Sequence, residues 1–378
     1  KEGKFGPQEA ICLITITIVA RVFFTSPSVI TRFVGPAGWL MTLTSAATAM
    51  VIFTLVYLLL CKWPGKNIIE IYELSVGRFI GTIFSFALFA GFLIDSAALL
   101  REFTEVMKVY VLPVSPPSYI MGLFLIGVLV VGIFGLETQA RLARVVAPVL
   151  FISLVAVLIL AMQNYSIYRL LPIFGYGLDK IIIRGIRRNS VYGYSIIAAI
   201  IAGSLQGIEH IKKIGYTSII ISGIIISICL LCFSLTFPYY AAQEITSPLY
   251  DMVSLIDYGR FFQRLDPVFL FTWNIATLLA VTVEVYMAAS VYCKMFKIQD
   301  IRPIIASTCI LTFTIAITPN DLEEVALGYV NIIREYLWLG VFIPVLFSLL
   351  LSVIKDRKKG KAVKKSQNKR KSRGRERT

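Results

Sequence analysis

A single histidine, His210, occurs in 378 residues, and the partners that a metal ion would need around it are absent. No Walker loop, nucleophile elbow, HExxH helix or carboxylate dyad is present, so neither an enzyme nor a cofactor is expected. Charge is scarce as well: Asp, Glu, Lys and Arg make up 16% of the chain, against about 25% in soluble domains. Alternating strand patterns of the outer-membrane type are missing, which argues against a barrel. The six cysteines lie in or at the ends of apolar spans. Cys229 and Cys232 have C-x-x-C spacing but sit among Ile and Leu without ligand partners, and they read as packing residues rather than a redox or zinc site.

What the chain has is apolar length. Hydrophobic residues reach 57%, mean hydropathy is +0.79, and apolar runs near or above 20 residues recur throughout, the transmembrane signature. The expected fold class is all-α integral membrane with about ten helices. They are expected near Gln8–Arg32, Gly38–Lys62, Arg78–Lys108, Ser118–Phe134, Gln139–Met162, Ser190–Lys212, Tyr216–Phe237, Pro267–Met295, Pro303–Thr318 and Val330–Ile354. The first run is long enough to be kept as a helix rather than removed as a signal. Amphipathic pieces at Asn67–Val76, Gly177–Arg188 and Ser247–Phe262 read as interfacial helices along the bilayer surface.

The formal charge of +15 is unevenly placed. Residues Lys355 to Thr378 carry 13 Lys or Arg against Asp356 and Glu376. The chain therefore divides into a transmembrane unit, 1–354, and a basic tail, 355–378. The tail reads as a solvated, disordered cytoplasmic end that sets topology, with anionic membrane lipid as its next partner. No interleaved aromatics support a nucleic-acid contact. An even number of spans and the tail's Lys/Arg bias put both termini in the cytoplasm.

Two spans are irregular. The first carries Arg21, Thr25, Ser26 and Pro27; the sixth carries Ala202-Gly203-Ser204-Leu205-Gln206-Gly207 before Glu209. Interruptions at matching positions of two five-helix halves point to a transporter core with inverted repeats. A packing kink is the simpler alternative. Three ionisable residues fall well inside spans: Arg21, Asp95 and Glu284. A charge at bilayer depth costs at least about 2.5–3.5 kcal/mol and normally faces the bundle interior with a partner. Arg21 is expected to pair with Asp95, with Glu284 as a second acid nearby. The trio suits a ligand site, a purely structural ion pair, or proton-titrating carboxylates. Phe23, Phe24 and Tyr286 are candidate pocket walls, with lipid-facing packing as the alternative.

Several segments share an order and spacing with one family: Arg21-Val22-Phe23-Phe24 with Pro27, Ala37-Gly38-Trp39, Trp63-Pro64-Gly65-Lys66, Arg101-Glu102-Phe103 followed by Leu112-Pro113, and Gly135-Leu136-Glu137 with Ala140-Arg141. Leu171-Pro172 with Gly175 and Gly177, then Gly207-Ile208-Glu209, continue the series. The longest stretch is Ser247-Pro248-Leu249-Tyr250 to Tyr258-Gly259-Arg260-Phe261 and Arg264-Leu265-Asp266. Together, over nearly all of the chain to Ile354, they resemble the B subunit of bacterial spore germinant receptors, the endospore germination permease family. That family is similar to amino acid–polyamine–organocation transporters.

The resemblance implies an inverted-repeat permease fold with broken helices one and six, in the spore inner membrane. It implies a small germinant, often an amino acid, as ligand, and A-type and C-type receptor subunits as partners. Helices one, three, six and eight would surround the central site. The candidate ligand-binding residues are then Arg21, Val22, Phe23 and Thr25; Gly91, Asp95 and Ala98; Gly203, Leu205 and Gln206; and Leu279 and Glu284. Fixed charges of both signs favour a polar or zwitterionic germinant over a hydrophobic one. The competing functions are a proton-coupled amino acid transporter and a membrane scaffold with a vestigial pocket.

Overall fold

The computed structural model describes residues 5–202, 207–259, 266–319, 328, 330–352 and 354. Helices account for the regular structure, and no β-strand occurs among the described residues. The chain opens with α1 (Pro7–Val19), which tightens into a 3-10 turn over Ala20–Phe23 and restarts as α2 (Ser26–Val34). Pro27 in the first turn of α2 removes an N–H that would have no acceptor there, so it starts the helix rather than breaking it. Then follow α3 (Gly38–Lys62), α4 (Ile68–Val76), α5 (Arg78–Tyr110), α6 (Pro117–Ile133) and α7 (Leu136–Leu160).

The second half runs through α8 (Leu178–Arg187), a 3-10 stretch over Arg188–Ile196, and α9 (Ile197–Ile200). It continues through α10 (Ile208–Thr236), the short α11 (Tyr239–Ala242) and α12 (Pro248–Ser254), α13 (Asp266–Phe296) and α14 (Arg302–Ile317). The last span begins with α15 (Asn331–Tyr336) and extends as apolar helix to Ser352. Among the described residues, six helical stretches are long and apolar enough to cross a membrane, α6 and α14 are shorter apolar helices, and the first and sixth spans are interrupted. The basic tail from 355 onward lies outside the described residues.

Two helix pairs form the frame, α5 against α13 and α3 against α10, and α1 packs on α7, α10 and α13. The helices are apolar nearly all round, so lipid takes one side and the bundle the other. Close approach uses small residues: a Cβ on Gly215 of α10 would lie 1.9 Å from the ring of Phe53 on α3. Asn67 caps α4 by accepting from Glu70 N–H at 3.0 Å. The apolar side of α4, with Ile68, Ile71 and Tyr72 buried, is covered by α5. Pro248, Leu249, Met252 and Val253 bury one side of α12, while residues 260–262 of that expected interfacial segment lie outside the described residues.

The sixth span differs from its sequence reading. The expected helix Ser190–Lys212 does not form as one: Arg188–Ile196 is a 3-10 stretch that follows α8 and continues into α9, and residues 203–206 of the expected break lie outside the described residues. The segment 177–188 forms α8, which packs on α3 and leads directly into the 3-10 stretch. Its charges mislead from sequence alone because Arg184 is paired with Glu335, 151 residues away, at 2.6 Å. Gly207, at φ +107°, caps the N-terminus of α10, and Glu209 and His210 belong to the first turns of α10, not to the end of the sixth span.

Candidate ligand site at two helix breaks

Arg21 sits in the 3-10 turn of the first span and is 3% exposed. Its Nη1 donates to Asp95 Oδ1 on α5 at 2.9 Å, and its Nη2 to Glu284 Oε1 on α13 at 2.6 Å. Tyr194, from the 3-10 stretch of the sixth span, donates its hydroxyl to the other oxygen of Asp95 and stacks its ring under the guanidinium at 4.8 Å. Four elements therefore converge on one guanidinium. Two buried carboxylates against one arginine leave a formal surplus of one negative charge. Among the described residues, Arg21 Nε and Glu284 Oε2 are buried without a hydrogen-bond partner.

The break itself is supported from α13. Trp273 Nε1 donates to the carbonyl of Ala20 at 2.9 Å, an acceptor that a continuous α-helix would have engaged. Its ring stacks on Phe23 at 5.2 Å, and Phe269 and Phe24 complete the cluster. The turn holding Arg21 is thereby fixed by one hydrogen bond and an aromatic wall.

The 3-10 geometry decides what the sixth span presents. Residues three apart eclipse in such a helix, so Arg188-Asn189-Ser190-Val191-Tyr192-Gly193-Tyr194-Ser195-Ile196 sorts into three faces. Arg188 and Val191 line the cavity beside Arg21, with Tyr192 also at its wall, while Tyr194 lies under the Arg21 guanidinium and lines the cavity on the α5 side. Asn189, Tyr192 and Ser195 line a space against Ala49 and Phe53 of α3. Ser190, Gly193 and Ile196 face α5 and the last span.

The Arg21–Asp95 pair stands between two small cavities. One, about 40 Å³, is lined by Gly91, Asp95 and Tyr194 together with Leu337 and Trp338 of the last span. The other, about 30 Å³, is lined by Arg21, Val22, Ser26 and Arg188 with Met41 and Ile226. A second buried ion cluster lies two turns along α5. Arg334 of α15 bonds Glu102 at 2.8 Å and donates to Ser26, while Thr25 donates to the other Glu102 oxygen. Glu102 is seven residues from Asp95, on the same face of α5.

A family model described as "Spore germination protein" matches residues 4–325. The chain belongs to that family. Over 93% of its length it is 21% identical to spore germination protein YndE of Bacillus subtilis (strain 168), covering 96% of that protein. To spore germination protein B2 of the same organism it is 23% identical, covering 94% and 97% of the two chains. Its fold is similar to that of the nucleobase-cation-symport-1 family transporter Mhp1, solved in a closed conformation with bromovinylhydantoin bound. The TM-score is 0.65 at 11% identity, covering 90% of this chain and 75% of that one. This spore germination protein family member is an all-α integral membrane protein of transporter fold, not an enzyme.

The sequence-derived candidates distribute unevenly over that fold. Arg21, Asp95 and Glu284 meet directly; Val22 and Gly91 line the flanking cavities; Phe23 stands in the Trp273 wall and Thr25 on Glu102. Ala98 instead packs against Val330, Ile333 and Leu337 of the last span. Leu279 is a buried core residue of α13. Gly203, Leu205 and Gln206 lie outside the described residues. Sequence reasoning misses Tyr194, Trp273, Glu102, Arg334 and Arg188. Tyr194 falls in the expected regular part of helix six and Arg188 at the end of the expected interfacial piece, whereas both stand in one 3-10 stretch, and Arg334 and Glu102 meet across 232 residues.

Proposed function

We propose that this protein is the germinant-sensing membrane subunit of a spore nutrient receptor, taking a small polar or zwitterionic nutrient of the amino acid class at the junction of the two breaks. One observation carries the reading: Arg21 is held between Asp95 and Glu284, with Arg21 Nε and Glu284 Oε2 still free to bond. A zwitterion offers a carboxylate to the first and an ammonium to the second. It thereby competes for the charges that tie helices one, three and eight together. Binding and a shift between two arrangements of those helices are then one event, its size set by the ligand's differential affinity. A-type and C-type subunits read out the shift in the spore inner membrane, with both termini and the basic tail on the cytoplasmic side.

Spores carrying Arg21→Leu or Asp95→Leu, with normal protein levels, are expected to lose the response to one nutrient class across a panel. Normal germination with every nutrient would refute the site. The transporter fold supports a second reading, proton-coupled amino acid transport. Saturable, gradient-driven accumulation of labelled amino acid in proteoliposomes would replace sensing with transport.

A further inference from the structure

Four arginines are buried among the described residues: Arg21, Arg101, Arg188 and Arg334. Three of them meet carboxylates, Arg21 at Asp95 and Glu284, Arg101 at Glu105, and Arg334 at Glu102. Among the described residues, Arg188 does not. Its Nη1 donates to the neutral amide oxygen of Asn331, and its guanidinium lies 5.4 Å from the centre of the Phe33 ring. Glu335 and Glu102 act on it only from beyond ion-pair distance, being bonded to Arg184 and Arg334. A buried cation without a direct counter-ion is costly by several kcal/mol, and neither an amide oxygen nor an aromatic face supplies a full negative charge.

Arg188 lines the 30 Å³ cavity together with Arg21, and no carboxylate lines that cavity among the described residues. Ser26 at its edge accepts from Arg334 and keeps its own O–H uncommitted among the described residues. The hydroxyls of Thr42 and Ser45 are turned to backbone carbonyls. Val22, Ile30, Met41 and Ile226 make the rest of the wall apolar, which strengthens any charge pair formed inside. By volume the cavity has room for about two waters, the bulk of a carboxylate group or a halide ion. It is too small for a whole amino acid.

We infer that Arg188 is the principal ligand of a small-anion subsite between α2, α3, α10 and the sixth-span break, taking either the carboxylate of the nutrient or a free halide. The carboxylate source rests on the nutrient reading above; the halide source does not. Guanidinium geometry favours a carboxylate held by two parallel N–H groups. In that arrangement the carboxylate offered to Arg21 in the reading above is shared with Arg188, since both line this cavity, while Glu284 meets the ammonium.

The test uses the purified full chain in lipid nanodiscs and thermal-shift titrations. The probes are sodium chloride against sodium gluconate at constant ionic strength, and the twenty amino acids each against its α-carboxamide. The nutrient source predicts that an amino acid stabilises the wild type and its carboxamide does not. Arg188→Gln then weakens the amino acid by about tenfold or more and abolishes the discrimination, and Arg188→Lys restores part of it. The halide source predicts chloride stabilisation that Arg188→Gln removes. If amino acids bind wild type and Arg188→Gln equally and chloride moves neither, the subsite is overturned while the nutrient reading stands. If only chloride binds, and through Arg188, the subsite stands and the nutrient reading falls. Arg188→Gln removes a buried charge that has no direct ion pair among the described residues, so it is expected to fold; Arg188→Lys, which keeps the charge, checks that lost binding is not lost structure.

Discussion

Replacing Arg21 by glutamine should destabilise the protein by about 3–5 kcal/mol, because it strands two buried carboxylates rather than merely deleting a contact. Asp95 and Glu284 are 5% and 0% exposed, and Arg21 is the guanidinium that both engage. Tyr194 still donates to Asp95, but Glu284 keeps no charge partner. Removing the charges together has the opposite consequence. Arg21→Met with Glu284→Met and Asp95→Asn replaces the ions by uncharged, mostly apolar side chains of similar volume, the new amide oxygen still accepting from Tyr194. Such an exchange is commonly neutral or stabilising by about 1–4 kcal/mol.

The order of heat-unfolding midpoints in detergent should therefore be triple variant at or above wild type, and the single variant well below. Nutrient response should be absent from both. A single variant as stable as wild type, or a triple variant as unstable as the single, would show that the three charges do not act as one buried cluster.

At the α3–α10 contact, Gly215→Ala sets a Cβ against the Phe53 ring and should cost about 1–3 kcal/mol by overpacking, with Phe53→Leu in the same chain recovering most of it; paired unfolding midpoints check the recovery. Asp251 on α12 has its carboxyl raised above the ordinary range by burial, an effect the Tyr110 hydroxyl bond at 3.0 Å partly offsets. The folded state then holds its proton more tightly than the unfolded one, so this contribution favours folding at acid pH and is lost as pH rises through the folded pKa. Asp251→Asn should remove that slope while the Tyr110 hydroxyl can still donate to the amide oxygen, as stability profiles against pH would reveal.

Span lengths and the intramembrane charges are legible in the sequence because both follow from local facts: apolar run length and the cost of a charge in lipid. The apolar run Gly38–Lys62 has the same bounds as α3. Arg21, Asp95 and Glu284 can be grouped from the sequence alone, since each needs a partner and few are at hand. The 3-10 stretch in the second half is missed because Gly177–Arg188, with Arg184, Arg187 and Arg188, reads as an amphipathic surface piece separate from the helix expected to start at Ser190. Those charges look too many for a membrane helix, yet Arg184 has Glu335 and Arg188 has Asn331. Such partners lie more than 140 residues away, where no pattern along the chain registers them. The glycines near 203 then look like the break for want of another candidate.

The nine-residue 3-10 stretch in the sixth span also has a mechanical meaning. A 3-10 helix rises about 2.0 Å per residue against about 1.5 Å in an α-helix, and winds about 120° per residue against about 100°. Relaxing all nine residues to α geometry would draw α8 and α9 together by about 4.5 Å and counter-rotate them by about half a turn. Arg188 and Tyr194 would then point about 120° apart rather than in line. Such a relaxation would act as a screw, a small axial stroke exchanging which side chains look at the first span.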